Sequence, residues 1–197
     1  MREVLFSSRS SKEDTLVGLL DLSIDHPVWG RLIRTALYKD NGIQCKERVN
    51  YREDFQVTPK LFYYAKRVSD LDTVIYYYNQ NNPLSYLALA KQDERVMLKK
   101  RLQDFQSFLL IQDFFKDKEN FQGIIEKSAV TDLLNIIQIA TRLGDKEHFF
   151  EAMQGLKAYP AKYIQEITPR FSFFLIISVL LSAGFSNEFN LSYHNNN

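Results

Sequence analysis

Hydrophobic positions recur three and four residues apart along most of this chain, with polar breaks at short intervals, and that period predicts helices throughout. Ser11, followed three residues later by Asp14 and then by Leu16, Val17, Leu19, Leu20 and Leu22, spells a capped first helix. Asp25-His-Pro-Val-Trp29 places Pro27 at a first helical position. Trp29, Leu32, Ile33, Ala36 and Leu37 then extend a second helix to Asn41-Gly42. Residues 43–57 are charged and lack a period, so an irregular connection or short hairpin is expected there. Beyond it, Thr58-Pro59, Asn82-Pro83 and Thr168-Pro169 each read as a cap residue and a proline at a helix start. The pattern predicts helices over about 59–68, 71–79, 83–91, 94–116, 121–127, 131–142, 146–158 and 169–183. Helix 94–116 carries Leu98, Leu102, Phe105 and Leu109 on one stripe, wide enough to sit in a core.

The fold class expected is therefore all-α, with antiparallel helix pairs stacked as an irregular helical repeat or bundle. Three regions follow: a helical N-terminal segment with its irregular connection over 1–57, a helical-repeat-like domain over 58–185 and a polar tail over 186–197. Seven glycines and five prolines in 197 residues are about half the usual frequency, which argues against a sandwich or barrel with many tight turns.

Internal similarity supports stacked pairs. Ala65-Lys-Arg-Val-Ser-Asp-Leu-Asp-Thr-Val-Ile75 and Ala140-Thr-Arg-Leu-Gly-Asp-Lys-Glu-His-Phe-Phe150 share a small residue, an arginine, an aliphatic, a turn residue with Asp, an acid and a hydrophobic pair. Ala88 to Leu98 is a weaker third copy. Each spells a helix hairpin in which alanine allows close approach and the Ser/Gly-Asp pair turns the chain and caps the next helix.

With Thr58-Pro59, Asn82-Pro-Leu84, Ile139-Ala140 and Leu180-Leu-Ser-Ala-Gly-Phe185, this spelling resembles a degenerate ankyrin repeat in patches over about 58–185. Gly144-Asp145, Ala152 and Pro160 give a tetratricopeptide-like array nearly as good a match. Either resemblance implies a solenoid that binds protein partners. Successive alanines Ala65, Ala88 and Ala140 lie 23 and 52 residues apart, whereas those families repeat every 33 or 34 or so, so an irregular bundle stays open beside a true repeat.

Lys and Arg number 25 against 24 Asp and Glu, a balance without the long-range field that nucleic acid or anionic lipid would select, so nucleic-acid binding is the less favoured alternative. The single Cys45 admits no internal disulfide and points to a reducing compartment, the cytoplasm, or a host cytosol for a bacterial secretion-associated effector. The N-terminus has an early acid and no long apolar core of a secretory signal. Phe171 to Gly184 is uncharged, but as a helix it would reach only about 21 Å against a hydrocarbon core of roughly 30 Å. No membrane span is expected; a buried helix or a contact through which copies of the chain associate is.

Catalytic chemistry is sparse. His26, His148 and His194 lack ligand neighbours at metal-binding spacing, and the glycines never cluster into a phosphate loop, so neither metal nor nucleotide cofactor is expected. Cys45, near Lys46, Arg48 and Arg52, would become an activated thiolate if those cations gathered around it, the basis of an alternative cysteine-dependent enzyme. Lys99-Lys100-Arg101 reads as a solvated helix face. Aromatics make up 14% of the chain, and candidate protein-binding residues are Tyr63, Tyr64, Tyr76, Tyr77, Tyr78, Phe171 and Phe174, because tyrosine combines contact area with a polar tip. The expected function is a non-catalytic protein-interaction module: an adaptor, scaffold or chaperone-like subunit.

Overall fold

In the computed structural model, Ser11 caps α1 (Lys12–Leu20) through a reciprocal box: its hydroxyl accepts from the Asp14 amide, and the Asp14 carboxylate accepts from the Ser11 amide. The structure describes residues 11–49, 51–69, 73, 76, 77, 82, 83 and 85–167. These form α1, α2 (Thr35–Asp40), α3 (Glu53–Tyr64), α4 (Tyr86–Gln92), α5 (Glu94–Phe115), α6 (Glu119–Leu143), α7 (Lys146–Leu156) and α8 (Ala161–Ile167), with no strand among them. The all-α expectation holds.

Long helices α5 and α6 form the most extensive helix pair, α7 and α8 pack on α6, and α1 and α3 close the other side. Phe108, Ile111 and Phe115 of α5 meet Ile125, Ala129, Leu133, Ile136 and Ile137 of α6 in one core that also takes Leu16 and Leu20 of α1 and Phe55 of α3. The boundary drawn at 57/58 falls inside α3, whose Phe55 belongs to that core and whose Val57 and Leu61 join Ile43 in a smaller one.

Turn chemistry is legible at two junctions. Gly144 ends α6 at φ 66°, its amide and that of Asp145 bonding back to Thr141 and Ala140 carbonyls, and Asp145 then caps α7 by accepting from the His148 amide. Asp93 likewise ends α4 and caps α5 through Arg95 N–H, at 2.7 Å.

Five sequence expectations are corrected. Pro27 starts no helix: the chain turns at Val28 to Arg31, the Arg31 guanidinium donates to the Asp25 and Pro27 carbonyls, and only 35–40 becomes helical. Thr58-Pro59 lies inside α3, where Thr58 Oγ1 donates to the His26 carbonyl at 2.7 Å instead of capping. Residues 121–127 and 131–142 are parts of one helix, because Ser128 Oγ bonds the Leu20 carbonyl and Thr131 Oγ1 the carbonyl one turn back, leaving the ladder intact. Pro160 stands immediately before α8, a helix that the pattern missed. Helix 83–91 begins later, at 86, with Ser85 rather than Asn82 as its cap. Expected helices 71–79 and 169–183, with Thr168-Pro169, lie mostly or wholly outside the described residues.

A side chain added at Gly144 would meet no atom within 4 Å, so its only penalty is the left-handed backbone. Gly144→Ala should lower the unfolding free energy by about 1 kcal/mol in urea titration; an unchanged midpoint would show that the α6–α7 junction relaxes.

Candidate functional site

An acid stands in the apolar stripe of each long helix: Asp104, in register with Phe108, Ile111 and Phe115 on α5, and Asp132, in register with Ile125, Ala129 and Ile136 on α6. Both are fully or almost fully buried. Arg52, at the cap position of α3, donates from Nη1 to Asp132 Oδ2 at 3.0 Å and places Nε 3.6 Å from Asp104 Oδ1. Arg101 Nη1 lies 3.0 Å from Asp132 Oδ1 and 3.5 Å from Asp104 Oδ2, and Lys100 Nζ reaches Asp104 Oδ2 at 2.8 Å. Thus Lys100 and Arg101 belong to a buried network, a correction to the solvated face read from the sequence; only Lys99 of that run is exposed.

Neutral groups extend the network. Gln56 donates to Ser107 Oγ at 3.1 Å and accepts from the Lys46 amide at 2.7 Å, while Ser107 donates to the Tyr51 carbonyl. Arg52 also lies over the Phe108 ring at 5.1 Å and Lys100 over the Tyr51 ring at 5.3 Å. Arg52 adopts φ 52°, a left-handed conformation that a branched chain of interactions must hold in place. Cations stand within 3.6 Å of both carboxylates, with Asp104 Oδ1 and Arg101 Nε left without a hydrogen bond, and the cluster clamps α3, α5 and α6 together.

Of the candidate binding residues, Tyr63 is half-buried, edge-to-face against Phe114 at 5.8 Å and Phe115 at 5.6 Å. Lys118 Nζ sits over the rings of Tyr63, Phe114 and Phe115, and Lys60 Nζ over Phe114. Tyr64 packs beside Tyr63 and Phe114 but stays exposed. Tyr76 and Tyr77 are exposed as well, and Tyr76 lies against Trp29 with ring centroids 4.6 Å apart. Tyr78, Phe171 and Phe174 lie outside the described residues. Trp29 and Leu32 were missed as surface residues, because their spacing of three fits a core stripe; without a helix over 27–34, Val28 and Ile33 turn to the small core and Trp29 and Leu32 turn out.

Thiol and imidazole chemistry is tied down. Cys45 is exposed and donates weakly to the Glu53 carbonyl. Burial together with Asp54 and Glu53 pushes its pKa up, against a small opposite pull from Lys60, so the cationic surroundings read from the sequence do not activate it. His26 stacks edge-on to Phe55, contacts the Leu19 carbonyl at 2.5 Å, and is lowered to about 4 by burial. His148 Nδ1 is 2.8 Å from Asp145 Oδ2, a bond that holds the Asp145 carboxyl below the usual range. Among the described residues no group of His, Cys, Asp and Glu could hold a metal ion, and no helix is long and apolar enough to cross a membrane.

An all-α architecture with a buried ion cluster and an exposed aromatic loop is thus what the structure defines. No family model, no curated protein and no solved structure matches the chain.

Two buried groups make opposite contributions to stability with pH. His26 has a folded pKa of about 4 against 6.5 ordinarily, so its contribution is present above 6.5 and is lost as the pH falls toward 4. Burial, opposed by Arg52, Arg101 and Lys100 and reinforced by Asp104, raises Asp132 from 3.8 to about 6, so its contribution is gained as the pH falls through 6 toward 3.8. Each amounts to about 3 kcal/mol. Stability of the wild type should therefore change little between pH 6.5 and 4.5, fall steeply with acid in Asp132→Asn, and rise with acid in His26→Gln; equal slopes in denaturant titrations of all three would refute the assignment. Alkylation of Cys45 by iodoacetamide should have its pH midpoint above that of a free thiol peptide, and a midpoint below it would restore the activated thiolate.

Proposed function

We propose that this protein is a non-catalytic interaction module, an adaptor, scaffold or chaperone-like subunit, that grips another polypeptide through Trp29, Leu32, Tyr76 and Tyr77. The observation that carries this reading is the Trp29–Tyr76 stack, 38% and 41% exposed, beside Tyr77 at 61% and Leu32 at 80%. The turn holds Trp29 and Leu32 outward because Val28 and Ile33 face the small core, and the side chains so displayed include tryptophan and tyrosine, the types that dominate the energetics of protein interfaces. The Arg31 bonds to Asp25 and Pro27 fix the loop in advance, which reduces the ordering entropy that binding would otherwise cost. Tyr64 would extend the same surface chemistry.

Base stacking is the less suitable use of these aromatics. Lysines 118 and 60 already cover the rings of Tyr63, Phe114 and Phe115, and a nucleobase would have to displace them. A cysteine enzyme is disfavoured by the raised Cys45 pKa. A reducing, cytoplasmic setting suits the exposed lone thiol, and in this reading the uncharged 171–183 stretch joins copies of the chain beside a different polypeptide partner.

Immobilised wild type should retain a polypeptide that Trp29→Ala/Tyr77→Ala loses by about tenfold or more, with circular dichroism and unfolding midpoint of the variant unchanged. Retention of no polypeptide by a stable, monodisperse wild type, or equal retention by the variant, would overturn the reading.

A further inference from the structure

Arg95 and Lys99 stand one turn apart at the beginning of α5, and this placement runs against two local rules. Like charges at that spacing repel, and cations at the start of a helix oppose its dipole. Neither side chain has a hydrogen-bonding or ion-pair partner among the described residues; the neighbouring Glu94 is taken by Arg142 at 2.5 Å and Asp93 by the Arg95 amide. Two exposed, unpartnered cations in an unfavourable place are the kind of local conflict that folding alone does not explain.

Both line an open cleft of about 570 Å³ between the start of α5 and the α6–α7 junction, with Leu98, Leu102 and Leu143 as its apolar part and Asp145 and His148 on the remaining side. The cleft is open to solvent along one side, so a ligand held here would keep part of its surface in water. Leu98 is buried, and Leu102 and Leu143 are half-buried against the main core, so the apolar part rests on rigid packing. Asp145 stays an ionised carboxylate in this lining, accepting from both the ring and the amide of His148 at the start of α7, so an anion is favoured on the Arg95 and Lys99 side of the cleft and disfavoured beside Asp145. With Nδ1 engaged there, Nε2 is the imidazole nitrogen left for a ligand.

We propose that this cleft binds a small amphiphilic anion, a carboxylate or phosphate monoester on an unbranched apolar chain. The chain would lie on Leu98, Leu102 and Leu143, and the head group would bridge Arg95 and Lys99. Arginine and ammonium together fit either head group. The site is independent of the aromatic surface around Trp29.

Sodium decanoate and decyl phosphate, titrated below their micelle concentrations into the full-length protein, test this with the His148 imidazole resonances as the readout. At least one should give a saturable shift that decyltrimethylammonium does not, and a response to one alone identifies the head group. Arg95→Glu/Lys99→Glu should weaken binding by about tenfold or more, while being at least as stable as the wild type, because acids suit the start of a helix. That stability separates loss of the site from loss of the fold. Trp29→Ala/Tyr77→Ala should bind the probe as the wild type does, so this site and the polypeptide surface stand or fall separately. Absence of a saturable shift with both anions, equal binding of the cationic chain, or undiminished binding by the charge-reversed variant would overturn the proposal.

Discussion

Asp104 and Asp132 face each other's helices from inside the core, and two carboxylates cannot leave water there without several kcal/mol of compensation each. Arg52, Lys100 and Arg101 supply it at 2.8 to 3.6 Å. Two of these cations come from α5 itself, within one turn of Asp104, so α5 carries most of its own compensation. Arg52 comes from a different part of the chain. It bridges both acids from α3, as Arg101 does from α5, so the position of α3 relative to α5 and α6 is tied to the charge cluster. Removing a partner would leave a buried charge uncompensated, a loss of about 3–5 kcal/mol.

That position is passed outward. With Arg52 held, Phe55 of α3 enters the core against Phe108, and the opposite side of α3 presents Val57 and Leu61. Those two residues, with Ile43, receive Val28, Ile33 and Leu37, and the same helix takes the His26 carbonyl through Thr58. The turn between His26 and Ile33 is therefore anchored at both ends, and Trp29 and Leu32 are outside because their neighbours are inside. An ion cluster deep in the helix pair thus determines which side chains the surface loop displays.

Junctions governed by neighbours close in sequence were legible: Ser11 with Asp14, Asp93 ahead of α5, and Gly144 with Asp145 all act through bonds spanning no more than five residues. The failures lie where a distant partner intervenes. Thr58 has the chemistry of a cap and uses it on the carbonyl of His26, 32 residues away. Pro59 is consequently carried in the seventh position of α3, where its missing N–H leaves the Phe55 carbonyl without its helical donor. Pro27 was read as a start because Trp29, Leu32 and Ile33 fit a helical stripe, but Arg31 satisfies the local carbonyls in a turn instead. The buried acids did leave a trace: Asp104 and Asp132 interrupt otherwise apolar stripes at helical spacing, each within reach of a basic residue or a long helix that carries one.

The near-neutral charge says less than where the charges are placed. Burial of Lys100 and Arg101 removes them from the surface field, and Lys60 and Lys118 are spread over aromatic rings, which leaves Lys99 and Arg95 as the cations without a structural role at the head of α5. The run Lys99-Lys100-Arg101 therefore divides between two tasks within three residues, because a helix turns about 100° per residue and sends successive side chains to different surroundings. Its two inward members hold the acids of the core, and its outward member joins Arg95 one turn earlier beside an apolar cleft. A basic run on an amphipathic helix is a structural device or a binding one according to the phase of each residue, and here the acids in the facing stripes set that phase.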